Sequence, residues 1–161
     1  MKARGILPVP QPVFMYEFGD LYVKNLGRER AEAAYPMRTW VEEGHEPSAS
    51  SDAPVSTVDP FINLFTMLTR KTNKGTVLGP DETLTMEQAL HAYTYAGAYS
   101  QFAETTRGTF APGMLADIAV ISADLFALSP EEVLSARADL TIRGGAVIFD
   151  RHGEVAAAAA Q

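Results

Sequence analysis

Few side chains in this sequence could do chemistry, and the one that stands out is Asp52. It sits in the run Ser50-Ser51-Asp52-Ala53-Pro54-Val55, where small residues lead to an acid and a proline follows. Pro54 stops whatever precedes it, so Asp52 is expected where an extended segment ends and a loop begins. In an α/β barrel, that is the position from which catalytic side chains reach into the active site. The chain offers this carboxylate few partners. The absence of cysteine excludes disulfides, thiolate metal sites and thiol nucleophiles. The three histidines, His45, His91 and His152, are far apart, so neither a His-x-His nor a His-Glu-x-x-His pair occurs. An isolated Asp-Ala-Pro is most often a turn-capping group, and only neighbours brought in by the fold would make it a site.

The bulk properties exclude several classes. With 161 residues, 47% of them hydrophobic, the chain can bury a real core as one ordinary domain. A net charge of -7 and a pI near 4.9 provide no basic stripe for phosphates, which argues against nucleic acid as a partner. No apolar run approaches the roughly 18 residues of a membrane span, and no signal-peptide pattern opens the sequence. A cytoplasmic location is the expectation.

The elements that would position Asp52 read as follows. Ile6 to Phe14 is apolar but carries three prolines, which suggests a short strand leaving through Gln11-Pro12. Tyr16 to Leu26 reads as loop with a helical turn. Arg28 to Ala34 and Met37 to Glu43 read as two helices separated by Pro36, the second closed by Gly44. His45 to Asp52 reads as a short polar strand. Asp59-Pro60 starts a helix that buries Phe61, Ile62, Leu64, Phe65 and Leu68 on one face and ends near Arg70. Lys71 to Asp81 is a loop. Thr85 with Gln88 makes a capping box that opens a helix to about Phe102. Beyond it the character changes. Pro112-Gly113 signals a turn, Asp117 to Ser122 a strand, and Ser129-Pro130-Glu131-Glu132 a short capped helix. Leu140–Arg143 and Ala146–Phe149 form a hairpin turned by Gly144-Gly145. The alanines from 156 to 160 read as a frayed tail. The chain therefore divides near residue 107.

The order of these landmarks resembles the C-terminal portion of the amidohydrolase superfamily, in its family 3, which includes N-substituted formamide deformylase-like enzymes. The residues that carry the resemblance are Gln11-Pro12, Arg28-Glu29-Arg30, Tyr35-Pro36-Met37-Arg38, Ser51-Asp52-Ala53-Pro54-Val55 and Asp59-Pro60. Thr69-Arg70, Ala89-Leu90 with Tyr93-Thr94, Gly108 through Gly113 before Ala116-Asp117, and Gly144-Gly145 complete the set. The resemblance implies an α/β fold: the C-terminal part of a (β/α)8 metallo-dependent hydrolase barrel with strands of a flanking composite β-sandwich. Ile6–Val13 would be barrel strand 7, Pro47–Ser51 strand 8, and Asp59–Arg70 the helix after it. Residues 1–107 would be the barrel segment, 108–152 the C-terminal share of the sandwich, and 153–161 the tail. Met114 departs from the lysine common after the Pro-Gly turn.

Under this resemblance Asp52 matches the strand-8 aspartate, a metal ligand and catalytic base. In such enzymes a divalent metal, zinc above all, lowers the pKa of a bound water, and the carboxylate beside it takes the proton as hydroxide attacks an amide carbon. Gln11, at the strand-7 end, and Arg70 are candidate substrate contacts; a loop hydrogen-bonder and a C-capping or surface arginine are the plainer readings. Arg38 is weighed in the same way as Arg70. The family's remaining metal ligands belong to earlier strands of a barrel of about 250 residues, so they are missing from this sequence. The expected function is that of the C-terminal portion of an enzyme that cleaves a C–N bond of a small amide or N-formyl compound, inactive alone, and the chain by itself need not hold the metal. The alternative is a non-catalytic module that docks on a complementing chain or on a second copy of itself.

Overall fold

Prolines at 8, 10 and 12 decide how the first segment joins the fold. A proline has no N–H to donate, so this stretch can offer its neighbours mainly carbonyls. In the computed structural model, which describes residues 1–155, those carbonyls are taken by the segment that leads to Asp52. Ser48 N donates to Pro8 O (3.1 Å) and Ser50 N donates to Pro10 O (2.9 Å). The register pairs 8 with 48 and 10 with 50, so the two segments run in the same direction. Between them in sequence, Ala49 N turns the other way and donates to Ala92 O (3.0 Å). Because bonds pass only toward the prolines, the ladder that defines a β-strand is never completed. The expected strands Ile6–Phe14 and His45–Asp52 are thus corrected to two parallel segments without strand structure.

A second correction follows directly. Val13 and Phe14 do not extend the first segment but open a helix, α1 (Val13–Leu26), where a loop was expected over Tyr16–Leu26. Pro12 already has helical dihedrals (φ -57°, ψ -32°), so it starts the helix instead of ending a strand. The mixed polarity of α1 hid it from periodicity: it buries only Val13, Met15 and Gly19. Gly19 is there for close approach, since a Cβ would lie 2.7 Å from Thr72 Cγ2.

The short helices α2 (Arg28–Glu32) and α3 (Met37–Glu42) lie where the sequence put them, and Gly44 after α3 takes a left-handed φ of 74°. α4 (Pro60–Thr69) begins as predicted, with the Asp59 side chain accepting from Phe61 N at 2.8 Å and Pro60 in the first turn. Met37, Phe61, Leu64, Met67, Leu84, Ala89 and Ala92 form the main core around α4. Leu125, Val133 and Ala136, from beyond residue 107, are buried in the same cluster. The stretch after α4 is less open than expected. Lys71 and Val77 form an isolated antiparallel bridge, and Leu78 packs with Met15 and Ala31 in a second small core.

The capping box of Thr85 and Gln88 is present at the start of α5 (Met86–Tyr93). The helix expected to reach Phe102 breaks at Thr94 (φ -113°, ψ -82°) and resumes as α6 (Tyr95–Tyr99). The break coincides with close packing of a later loop: a Cβ on Gly108 would lie 2.7 Å from Ala98 Cβ and 3.2 Å from Thr94 O. β1 (Ile118–Ile121), β2 (Ala138–Arg143) and β3 (Ala146–Asp150) form an antiparallel sheet in the order β1-β2-β3. Gly144 (φ 57°) and Gly145 (φ 84°) make the two-residue turn, both in the positive-φ region that such a turn requires. α7 (Pro130–Val133) carries the second capping box, Ser129 with Glu132. The tail alanines lie outside the described residues. No helix among the described residues is long and apolar enough to cross a membrane.

Arg70 ties these pieces together. It is 3% exposed, has a left-handed φ of 56°, and caps the C-terminal end of α4. Its guanidinium donates to Leu78 O (2.8 Å) and to Tyr35 O, Glu32 O and Ala34 O (2.9 Å each). Burial pushes its pKa down, with Glu82 and Glu32 acting in the opposite direction. Arg70→Met should therefore lower stability by on the order of 3 kcal/mol, because it leaves several buried carbonyls unpaired. By contrast Arg38, whose ion pair with Glu42 is exposed, should be replaceable by Ala with almost no change. Urea denaturation midpoints of the two variants check the contrast.

Candidate active-site corner

The parallel segments place their two ends side by side. Pro10 O receives both Ser50 N and Ser50 Oγ (3.1 Å), so Gln11 and Ser51 follow from adjacent, bonded residues. The carbonyl of Ser50 points the other way, into α4, where Asn63 Nδ2 donates to it at 2.9 Å. The same amide nitrogen lies 2.9 Å from the Tyr93 hydroxyl on α5. Residue 50 is thereby held by the first segment on one side and by α4 and α5 on the other.

Asp52 follows at once, with a left-handed φ of 54°. Asp and Asn tolerate this conformation better than most residues do. Val55 N donates back to Asp52 O (2.9 Å), closing a turn that contains a cis Ala53–Pro54 peptide. Residues 52 to 55 are all exposed, and the Asp52 carboxylate makes no hydrogen bond or ion pair among the described residues. The chain then returns inward. Ser56 is buried, Thr57 N donates to Glu17 Oε1 on α1 (3.3 Å), and Asp59 caps α4. Burial is the first cause that pushes the Tyr93 phenol upward from its usual pKa; the bond from Asn63 lowers it and the nearby Asp59 carboxylate raises it further. Tyr93 is a neutral phenol at any physiological pH.

The other candidates fall in different places. Gln11 is half-buried at the corner, but its amide donates to Val9 O (3.2 Å), the local loop bond of the plainer reading. Arg70 is at the far end of α4, about 15 Å along a ten-residue helix from the corner. Its donors are committed to four carbonyls, the geometry of the plainer C-capping reading. Arg38 pairs with Glu42 on its own helix. His91 Nε2 lies 2.6 Å from Glu46, His45 is buried 3.8 Å from Glu43, and His152 lies 3.5 Å from Asp139. The sequence singles out neither Asn63 nor, beyond its place in the resemblance, Tyr93 as a site residue. The signal for Asn63 was an amide set among Phe61, Leu64 and Phe65 on an otherwise apolar helix.

A metal needs several donors, four in the usual zinc site. No group of three or more His, Cys, Asp or Glu side chains that could hold an ion exists among the described residues. Asp52 can contribute one ligand and no more, so these residues do not by themselves fit a metal centre.

The amidohydrolase family profile matches residues 1–149. The chain belongs to the amidohydrolase family. Among curated relatives, a Bacillus subtilis protein named as an amidohydrolase, YtcJ, is 28% identical over 144 residues. The N-substituted formamide deformylase of Arthrobacter pascens is 26% identical over 154 residues. These matches take in 88% and 95% of this chain but only 27% and 28% of the relatives' own lengths. The crystal structure of an uncharacterized metal-dependent hydrolase from Pyrococcus horikoshii superposes with a TM-score of 0.68 at 27% identity, over 81% of this chain and 27% of that one. The family and the fold of this neighbour imply an α/β fold for the chain. Within this amidohydrolase chain the corner should tolerate change according to backbone, not contacts. Asp52→Asn should alter stability by less than about 0.5 kcal/mol, whereas Asp52→Val should cost about 1–2 kcal/mol because a β-branched residue resists positive φ. Thermal unfolding of the two variants distinguishes them.

Proposed function

We propose that this chain carries the last-strand corner of a metal-dependent amidohydrolase that hydrolyses the C–N bond of a small amide or N-formyl compound. The carrying observation is the parallel register of Pro8/Ser48 and Pro10/Ser50, with Asp52 two residues past the last bond. In an α/β barrel, neighbouring strands run parallel and catalytic side chains follow their C-terminal ends. On this reading the segments around Pro8 and Ser48 correspond to barrel strands 7 and 8. Helices α1 to α3 follow strand 7, α4 follows strand 8, and residues 108–152 are the chain's share of a β-sandwich.

Asp52 is the carboxylate of the site, presented at the surface of the corner to ligate the metal or to accept a proton. Gln11 is positioned to border the substrate if its local bond to Val9 is released. The remaining metal donors must come from polypeptide outside this sequence, and no step through the metal is assigned to the residues present. A second reading, a non-catalytic module docked on a complementing chain or on a second copy, draws on the sheet. Val120, Ile148 and Phe149 are exposed, and among the described residues β1 and β3 each have an unpaired edge. Light scattering separates the two, since docking between copies requires species larger than a monomer.

The experiment for the first reading is a transplant. The residues of this chain that match the Arthrobacter pascens deformylase replace the corresponding stretch of that enzyme, and hydrolysis of an N-substituted formamide is assayed. Measurable turnover is expected, reduced by at least about 100-fold on Asp52→Asn with helix content unchanged. Equal turnover with and without the Asp52 carboxylate would overturn the assignment.

A further inference from the structure

Among the described residues Asp52 has no side-chain partner, and it lies in an exposed turn, so the direction in which it leaves the fold must be set by the backbone before it. We propose that Asn63 is the positioning residue of the corner: through its amide it fixes the plane of the Ser50–Ser51 peptide from which Asp52 is presented. The role rests on the reading of Asp52 given under Proposed function.

Asn63 is 1% exposed in the interior of α4. An amide buried there is unfavourable unless bonded, and packing alone would be served by leucine. Its Nδ2 donates to Ser50 O and to the Tyr93 hydroxyl, both at 2.9 Å. A carbonyl can only accept, so the nitrogen must face Ser50, and the orientation of the amide follows from chemistry. The Oδ1 atom is left buried without a partner, so the amide does not optimise stability. Ser50's amide and hydroxyl both go to Pro10 O, leaving its carbonyl as the one polar group free to face the helix. Since the peptide unit is planar, holding that carbonyl also fixes where Ser51 N and Cα go, one residue before Asp52. Tyr93 is the far anchor, a neutral phenol that accepts from Asn63 and keeps its own proton. Asn63 acts through residue 50 and is not itself a catalytic residue.

Amide hydrogen exchange on the full chain, read by NMR, tests this without metal or substrate. In Asn63→Leu, exchange at Ser50 N and Val55 N should quicken by at least about tenfold more than at Arg70 N and Ala89 N, which report α4 and α5. Equal acceleration at all four sites would mean that Asn63 serves general stability only, and would overturn the proposal. If the variant does not fold, the unmodified chain still decides. The two Asn63 side-chain protons should exchange within about tenfold of Ser50 N, far slower than those of exposed Gln101. Exchange of the Asn63 protons at the Gln101 rate would overturn it too. Because neither readout involves hydrolysis, failure here is distinct from failure of the Asp52 assignment, which the transplant judges.

Discussion

Two carbonyls, those of Pro8 and Pro10, hold the segment on which the corner depends. Prolines cannot donate, so the first segment acts purely as an acceptor, and every backbone bond between the two segments must come from the second. That constraint sets the direction of residues 46–50, because only the odd-numbered Ala49 is left to bond on the opposite side, to Ala92 at the end of α5. The segment is therefore wedged between a proline-rich neighbour and a helix. The turn at Asp52 begins where this alternation stops.

α4 links that corner to the interior. Its N-terminal end is fixed by Asp59 beside the returning loop, and its middle reaches the Ser50 carbonyl through Asn63. Its C-terminal end is closed by Arg70, which gathers the carbonyls of Glu32, Ala34, Tyr35 and Leu78. Tyr35, whose carbonyl Arg70 holds, itself has a left-handed φ of 52°, a conformation that the clamp helps to maintain. One helix thus connects the exposed carboxylate to the main core and to the small core around Met15 and Leu78.

What could be read from sequence was local. Asp59-Pro60, Thr85 with Gln88, Ser129 with Glu132 and Gly144-Gly145 each specify a cap or turn within four residues, and each is found in place. What could not be read depended on residues far apart. α1 was obscured because Pro12 begins it and Gly19 packs against Thr72. The break at Thr94 lies against Gly108, fourteen positions on. Arg70 could be read as a substrate contact or as a cap because three of its four acceptors lie more than thirty positions earlier in the chain. At the corner, Asp52 was legible through its Ser-Ser-Asp-Ala-Pro setting, while the part played by Asn63 needed the fold to bring Ser50 and Tyr93 to one amide.

Family membership and the geometry of the corner meet at one physical point: a carboxylate without companions cannot hold a catalytic metal. Under the proposed function Asp52 is therefore one donor of a shared set. The most direct measurement is zinc bound per chain after equilibrium dialysis at micromolar free metal, for the native sequence and for Asp52→Asn. Well under one zinc per chain is expected, with no difference between the two. One tightly held zinc per native chain, lost on Asp52→Asn, would show a complete site within these residues and contradict it.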